Sequence, residues 1–561
     1  MLHPPPTLSA LRSSTARRLL RRTPTTLIRR VSLEADNSIP DEPHESIQSI
    51  GIIGGGISGL ASAWYLSKFA PDVPVTLIEK SGRLGGWIRS KKVGHERGTV
   101  RFDMGPRTLR PWSSAGLGTL DMIRQLDLQD EMVLVPKTAP AAKERYIYYP
   151  DRLNRLPSSI PTFFTSLRLP IMKGIFTSLI PEYFKPKRPA TLTDESVGSF
   201  ITRRFSRPLA ENVVSAALHG IYAGDVDKLS MKSLFPKIWR DEEKHGSIGK
   251  GLIAREKAKP IDDVVFNDAL RIPNRKFMWG LRGVVMYCFK QGMETLTKAI
   301  ERDLRSSENV TIVTEAEVDK IKWDGEYFSL DSPSHFATPH KFTHLISTLP
   351  APYTSRLLPS PVSPLSLIPL TTVLVVNLYY HSPSLLPITG FGYLLPKTVP
   401  ASQNPHQALG VIFDSDVYRK FDEPGTKLTV MLGGHHWDGL SEAELREKEE
   451  KAVEMAVETL RIQVGGGFVT EEPAAVNKGL MRGCIPQYTV GHEERCIQAR
   501  GELEERFGGR LAVVGSSYKG VGVSDCIRMA RELAVKWARE GEGTGLEDVE
   551  KRWAVRQRVV W

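Results

Sequence analysis

The chain has 561 residues, 41% hydrophobic and 25% charged, with Lys plus Arg 75 against Asp plus Glu 64 and a formal net charge of +11. This excludes fibrous and disordered classes, and the length exceeds what one hydrophobic core usually supports. Four cysteines (Cys288, Cys484, Cys496, Cys526) contain no CxxC pair, which removes disulfide-scaffold, zinc-ribbon and thioredoxin-type readings.

Residues 1–35 carry seven arginines (Arg12, Arg17, Arg18, Arg21, Arg22, Arg29, Arg30), nine Ser or Thr and one acid, Glu34. Arginine-rich, hydroxyl-rich and acid-poor is the composition of an organelle transit peptide, so the segment is set apart from the fold. A polar linker leads to Ile50, Ile52 and Ile53, a short buried strand. Gly54, Gly56 and Gly59 then satisfy G-x-G-x-x-G, and helical spacing runs from Leu60 to Leu66. The glycines serve a tight turn, close backbone approach to a pyrophosphate, and close helix-to-strand packing. A second strand, Val75–Glu79, ends on an acid 20 residues after Gly59, where a carboxylate accepts hydrogen bonds from ribose hydroxyls. Gly54, Gly55, Gly56, Ile57, Ser58 and Gly59, with Glu79 and Lys80, form the expected dinucleotide cradle.

Downstream, Leu120, Ile123 and Leu126 predict an amphipathic helix within 117–128. Residues 151–190 interleave apolar residues such as Leu156, Ile160, Phe163, Phe164, Ile175 and Phe176 with seven basic ones, against Asp151 and Glu182. Apolar plus basic with aromatics suits a segment lying in a membrane interface. This segment and the leader hold the whole basic excess, which argues against nucleic acid as a partner. A helix is expected from Asp194 to Phe205 with Thr193 as N-cap, helical spacing persists around Val213, Val214 and Leu218, and 240–275 reads as loop. Strands follow at Val310–Val313, Ala316–Ile321 and His344–Leu349, with a hairpin at Tyr327–Leu330. Strands resuming after so long an excursion imply a discontinuous nucleotide domain, with the backbone of Val318 lining the adenine pocket.

The uncharged stretch Leu357–Pro396 is broken by proline too often for a spanning helix of about 20 residues, and Thr371–Tyr380 reads as a buried strand. Near the C-terminus a strand, Arg510–Gly515, precedes Ser516–Ile527, which opens an amphipathic helix through Met529, Leu533 and Val535. Strand, glycine turn and helix start make a second anion cradle, with Ser516, Val521, Gly522 and Val523 at its mouth. His219, His435, His436 and His492 read as structural or hydrogen-bonding residues, and no metal-ligand cluster or Ser-His-Asp order stands out.

Two segments point to the cofactor by resemblance. Ser81-Gly-Arg-Leu-Gly-Gly-Trp87 and Phe102-Asp-Met-Gly-Pro-Arg-Thr108 resemble the R-x-G-G extension and the second glycine loop of the FAD-dependent amine oxidase and phytoene desaturase superfamily. This implies FAD, one per chain and non-covalent, near Arg83, Trp87, Gly105, Pro106, Arg107 and Thr108. More specific segments resemble the protoporphyrinogen oxidases from about residue 48 to about 540. They include Gly85-Gly-Trp-Ile-Arg-Ser90, His219-Gly-Ile-Tyr-Ala-Gly-Asp225 with Leu229-Ser230, Gly390-Phe-Gly392, Met431-Leu-Gly-Gly434, Cys484-Ile-Pro-Gln-Tyr488 and Gly520-Val-Gly-Val-Ser-Asp-Cys526.

The resemblance implies six-electron oxidation of protoporphyrinogen IX to protoporphyrin IX, with O2 as acceptor and hydrogen peroxide as product, the penultimate step of haem synthesis. It also implies a mitochondrial protein, monotopic on the inner membrane, with ferrochelatase and a second copy of the chain as further partners. Arg145 matches the arginine that pairs with a propionate, Phe391 the aromatic that stacks on a pyrrole, and Gly220 and Ala223 lie in a turn passing beneath the macrocycle. No residue is assigned a catalytic proton-transfer role, because the flavin carries the redox work. Two rivals stay open: an amine oxidase or carotenoid desaturase, and a non-catalytic carrier resembling Rab GDP-dissociation inhibitors.

The expected fold is α/β. A discontinuous FAD-binding Rossmann-like domain (48–110, 291–350, 481–545) accompanies a mixed α+β substrate domain (111–150, 351–480) and a helical membrane-binding subdomain (151–290).

Overall fold

A computed structural model of the chain describes residues 46–157, 169–172, 178, 181–256, 275–332, 340–418, 424–547 and 549. The leader at 1–35 lies outside the described residues, as do 158–168, 173–177 and 179–180 of the expected interfacial segment.

Short runs dominated by apolar residues favour the strands of a parallel sheet. Five such runs pair in parallel: β1 (Ile50–Ile53), β2 (Val75–Ile78), β3 (Val310–Val313), β4 (His344–Ser347) and β5 (Leu511–Val513), in the order β5-β4-β1-β2-β3. Ile50 sits opposite Val75 on one side and His344 on the other. Chain order and spatial order part company beside β1, so the crevice beyond its C-terminal end is the topological switch point where open α/β sheets bind ligands. Helix α1 (Ile57–Phe69) is buried from Ser58 to Ser67, because it is sandwiched between the sheet and α2 (Val523–Glu540). Trp64 Nε1 and Lys68 Nζ both donate to Asp303, 2.9 Å each, tying α1 to the helix Glu294–Arg305.

A second, seven-stranded sheet takes its strands in the order Ala475–Pro486, Leu370–Tyr380, Thr426–Gly433, Ala408–Ile412, Gly392–Leu394, Tyr146–Tyr148, Leu153–Arg155. Side chains alternate across a strand. Leu374, Val376 and Leu378 therefore pack with Met455, Ala456 and Leu460 of the helix Ala452–Gln463, while Val373 and Val375 face Ala223 and Leu409 on the other side.

The third region is helical. The helices Val197–Arg204, Ser215–Tyr222 and Pro236–His245 close over Phe200, Leu218, Leu229 and Trp239. A buried ion network binds it, with Arg204 between Glu182 and Glu242, and Arg203 and Arg188 also on Glu242.

Several expectations change. The helix expected from Asp194 begins at Val197, capped by Ser196 Oγ accepting from Ser199 N at 3.0 Å. Asp194 instead accepts from Ser230 Oγ and the Gly491 amide. Residues 240–275, read as loop, include parts of the helices Pro236–His245 and Ile248–Glu256. Only Lys320–Trp323 pairs in the region expected to form a strand from Ala316, its partner being Phe328–Asp331. The domain limits also shift. Leu117, Leu120 and Ile123 pack in the core under the nucleotide sheet, as do Leu357, Leu365 and Ile368, whereas residues up to Pro486 belong to the seven-stranded sheet. Apolar area drives this packing irrespective of chain order.

Candidate active site

The dinucleotide end is built by glycine. A Cβ at Gly59 would stand 1.9 Å from the Gly54 carbonyl oxygen and 3.2 Å from Leu77 Cδ1, and Gly54 itself holds φ +100°. Helix α1 begins at the Gly56 N-cap with no side-chain cap and no acid in its first turn. Its first N–H groups and dipole are therefore left for an anionic group to meet. The Glu79 carboxylate accepts from Gly55 N (2.7 Å), Ser81 N (2.9 Å) and Ser81 Oγ (2.7 Å). A carboxylate offers about four acceptor positions, so capacity remains for a hydroxyl. Val318 is buried beside this corner, where Ala316 N donates to Glu79 O and Glu315 N to Ser81 O.

The following loop doubles back on the cradle. Gly85 N donates to Gly55 O at 2.8 Å, and a Cβ on Gly86 would stand 3.0 Å from Gly56 Cα. Arg83 folds onto the Leu84 and Gly86 carbonyls, and Trp87 is 44% exposed. Gly105 packs on the Trp87 carbonyl so closely that a Cβ would come within 2.2 Å. Pro106 and Thr108 flank Arg107 in this loop, half-buried.

Two expected cofactor side chains are otherwise engaged. Lys80 points outward, 71% exposed and 4.0 Å from Glu317. Arg107 Nε lies 3.2 Å from Asp414, and its other nitrogens donate to the Asp103 and Gly105 carbonyls. From Asp414 a polar chain continues through Thr429 Oγ1 (2.6 Å) and Asn377 Nδ2 (2.7 Å) to Asn477. Burial lifts the Asp414 carboxyl above the usual range, against the pull of Arg107 and Lys427. Arg107 thus fastens the glycine loop to the second sheet.

The second cradle lies beside the first. Val514 N donates to Ser347 O, and a Cβ at Gly515 would stand 3.7 Å from Ser58 Oγ of α1. Helix α2 starts from Gly522 with no side-chain cap, with Val521 half-buried and Val523 buried at the same end. Tyr488 of the Cys-Ile-Pro-Gln-Tyr segment fixes the intervening loop, its hydroxyl donating to Ser516 O (2.5 Å) and accepting from Gly520 N (2.9 Å). Its ring stacks on His492 at 3.9 Å. Cys526 is buried and its thiol is pushed up to about 12 by burial, so it is a poor nucleophile. The uncapped start of α1, a glycine floor and an acid at the end of β2 fit a dinucleotide flavin, whereas α2, also without a side-chain cap, carries Asp525 in its first turn.

On the second sheet, Gly390 (φ +155°) packs on Glu144 O and Gly392 (φ +139°) on Val411 O, and Phe391 N between them donates to Glu144 O at 3.0 Å. Phe391 is half-buried against Val133, Ala141 and Met286. Gly220 abuts Leu394, where a Cβ would meet Cδ2 at 2.7 Å, and Ala223 takes the left-handed conformation at φ 51°. Ala223 shares an apolar cluster with Val373, Val375, Leu409, Met431, Met481 and Cys484. Arg145 precedes the strand Tyr146–Tyr148, and partial desolvation of its guanidinium and then the charge of Arg110 lower its pKa from the usual value. Arg110, exposed, was missed by the sequence reading. It follows Leu109, whose backbone exchanges two 2.8 Å hydrogen bonds with Tyr287. No local signal distinguishes it; only the fold brings its charge to Arg145.

Comparison with known proteins accords with this architecture. The family model of flavin containing amine oxidoreductases matches residues 57–534. Protoporphyrinogen oxidase of Schizosaccharomyces pombe is 38% identical over 508 residues, covering 87% of this chain and 98% of the relative. The human protoporphyrinogen oxidase is 34% identical over 499 residues, covering 87% and 98%. A crystal structure from Exiguobacterium sp. 255-15 superposes with a TM-score of 0.66 at 21% identity, covering 88% of this chain and 99% of that one, which shows the shared fold. The cradle at β1, the second cradle at α2 and these relatives agree: the chain belongs to the protoporphyrinogen oxidase family, within the flavin containing amine oxidoreductases.

Proposed function

We propose that this chain oxidises protoporphyrinogen IX to protoporphyrin IX, with one non-covalent FAD and O2 as acceptor. The observation that carries the reading is the glycine-built cradle at β1 and α1 in a chain 38% identical to a protoporphyrinogen oxidase over 98% of that relative, and two guanidinium groups, Arg110 and Arg145, lie close enough to act on each other. A flat macrocycle with two propionates needs apolar walls and cations, and the planar fork of arginine suits a carboxylate. Bound FAD supplies the redox chemistry. The N-terminus of α1, Glu79 and the turn before α2 would hold it, and Gly220, Ala223 and Phe391 are the residues proposed to contact the macrocycle. Non-covalent attachment is supported by Ser516 and Ser517 in the second cradle and by the buried Cys526, whose thiol is raised by desolvation.

Residues 1–35 support delivery to mitochondria. Attachment to one face of the inner membrane is supported by Phe184 (79% exposed), Tyr183, Leu252 and Ile253, with the exposed Lys187 and Lys250 in the same segments. No helix among the described residues is long and apolar enough to cross a membrane. Transfer of product to ferrochelatase and pairing with a second copy are part of the same reading.

The test is anaerobic titration of the yellow protein with protoporphyrinogen, following flavin bleaching and porphyrin fluorescence. Arg110→Ala and Arg145→Ala are expected to raise KM by about tenfold each, the worth of one charge-assisted hydrogen bond of about 1.5 kcal/mol. A colourless purified protein overturns the reading in favour of a carrier. Bleaching by amines but not by the porphyrinogen favours an amine oxidase.

A further inference from the structure

The described residues contain one group of three side chains suited to a metal ion, and sequence spacing gave no sign of it. His219 closes on His435 and His436, more than 200 positions away, with one ring nitrogen from each lying within 4.8 Å of the others. His219 is buried on the helix Ser215–Tyr222, while His435 and His436 are half-buried in the turn Gly434–Trp437 after the strand Thr426–Gly433.

The protonation of His219 follows from its partner. Its Nδ1 lies 2.7 Å from the Leu395 carbonyl oxygen, which can only accept, so Nδ1 carries the hydrogen. In the neutral ring Nε2 is then a lone pair, and it faces His435 Nε2 at 2.9 Å. A ring N–H donated to a backbone carbonyl, with the other nitrogen directed inward, is the arrangement that orients metal-binding histidines. Without a metal the His435 Nε2 hydrogen fills the gap. A cation replaces it when His435 adopts its other neutral tautomer, with no net change in protons.

The surroundings tolerate a cation. Lys397 and Lys228 act electrostatically on the cluster from nearby, but Lys397 is paired with Asp227 and Lys228 lies 3.8 Å from Asp438. Asp225 acts on both His219 and His436 as an opposing negative charge.

We infer that His219, His435 and His436 form a binding site for a divalent transition-metal ion that prefers nitrogen ligands. Nitrogens bound at 2.0–2.1 Å to a tetrahedral ion stand about 3.4 Å apart, so the His219–His435 pair at 2.9 Å opens by roughly 0.5 Å and the widest pair closes by at most about 1.4 Å through side-chain rotation. Imidazole ligands select zinc, copper, nickel, cobalt or ferrous iron over magnesium and calcium. Three protein ligands leave a fourth position for water. The ion would brace the helix Ser215–Tyr222 against the 434–437 turn, which already meets at Ala223 O, the acceptor for His435 N at 2.8 Å.

The test uses untagged, flavin-loaded full-length protein stripped with chelator, then titrated with Co2+ and displaced by Zn2+. The expected result is one Co2+ per chain with ligand-field bands at longer wavelength than the flavin, and a thermal midpoint raised by excess Zn2+. His435→Gln and His436→Gln are each expected to weaken Co2+ binding at least about tenfold and abolish those bands. His406→Gln, on the surface beside Glu458, keeps them. Should His435→Gln fail to fold, His436→Gln decides, since its ring lies outside the His219–His435 hydrogen bond, with retained flavin absorbance as the folding control. Wild-type protein that takes up no stoichiometric Co2+, or histidine variants that bind it as wild type does, overturn the inference.

Discussion

Replacing Gly59 by alanine tests whether the β1–α1 corner holds the cofactor by close backbone approach. The new Cβ would stand 1.9 Å from Gly54 O, and that oxygen belongs to a turn already fixed at φ +100°. Relief to an ordinary contact of about 3.5 Å requires the start of α1 to retreat by roughly 1.5 Å. Overpacking of this kind costs about 1–3 kcal/mol of folding stability. The larger loss is in binding, because the retreating N–H groups are those that meet the pyrophosphate. Charge-assisted hydrogen bonds contribute about 1.5–3 kcal/mol each. Two of them therefore amount to about 3–6 kcal/mol, or roughly a hundred- to ten-thousand-fold in FAD affinity.

The assay is FAD titration of the apoprotein by flavin fluorescence quenching, with thermal unfolding of the apo form as control for folding. Gly501→Ala is the companion, because its Cβ meets nothing within 4 Å on the helix His492–Phe507. It is expected to leave FAD binding intact and to stabilise the fold by about 0.5–1 kcal/mol. A Gly59→Ala protein that purifies fully yellow with unchanged affinity would refute the reasoning.

Asp414→Asn strands Arg107, whose side chain is 9% exposed, with an uncompensated charge. The expected cost is about 3–5 kcal/mol in denaturant unfolding, largely restored when Arg107→Met is added; an undiminished unfolding midpoint in the single variant counts against the clamp. Acid weakens the helical region through Glu182. Burial raises its carboxyl, but hydrogen bonds from Arg204, Ile248 N, Ser247 and Gly249 N together hold it below its ordinary 4.5. The stability it contributes is present above that value and lost as pH falls through the lower folded one. Glu182→Gln is therefore expected to flatten the acid limb of the unfolding profile, measured by circular dichroism, and an unchanged limb contradicts the assignment.

Much of the flavin site is legible in the chain because its rules are local. A strand, a glycine turn and a helix start occupy consecutive residues, so Gly54, Gly56, Gly59 and Glu79 declare themselves by spacing alone. The same holds for Gly515 through Val523. Boundaries were read less well where side chains bond across the fold. Asp194 resembles a helix start in sequence but is drawn to Ser230 and Gly491, leaving Ser196 to cap the helix. Residues 240–256 read as loop because their charges hide the apolar contacts of Trp239 and Ile248.

By itself the sequence determined the Rossmann-like plan, the glycine cradles and the family, because backbone conformation and strand-to-helix order depend on neighbours along the chain. Only the tertiary structure decided that Arg107 clamps the glycine loop to Asp414, that Arg110 joins Arg145, and that His219 meets His435 and His436. Those outcomes depend on which side chains two sheets and a helical region bring within a few ångströms, and that distance is not encoded in any local run of residues.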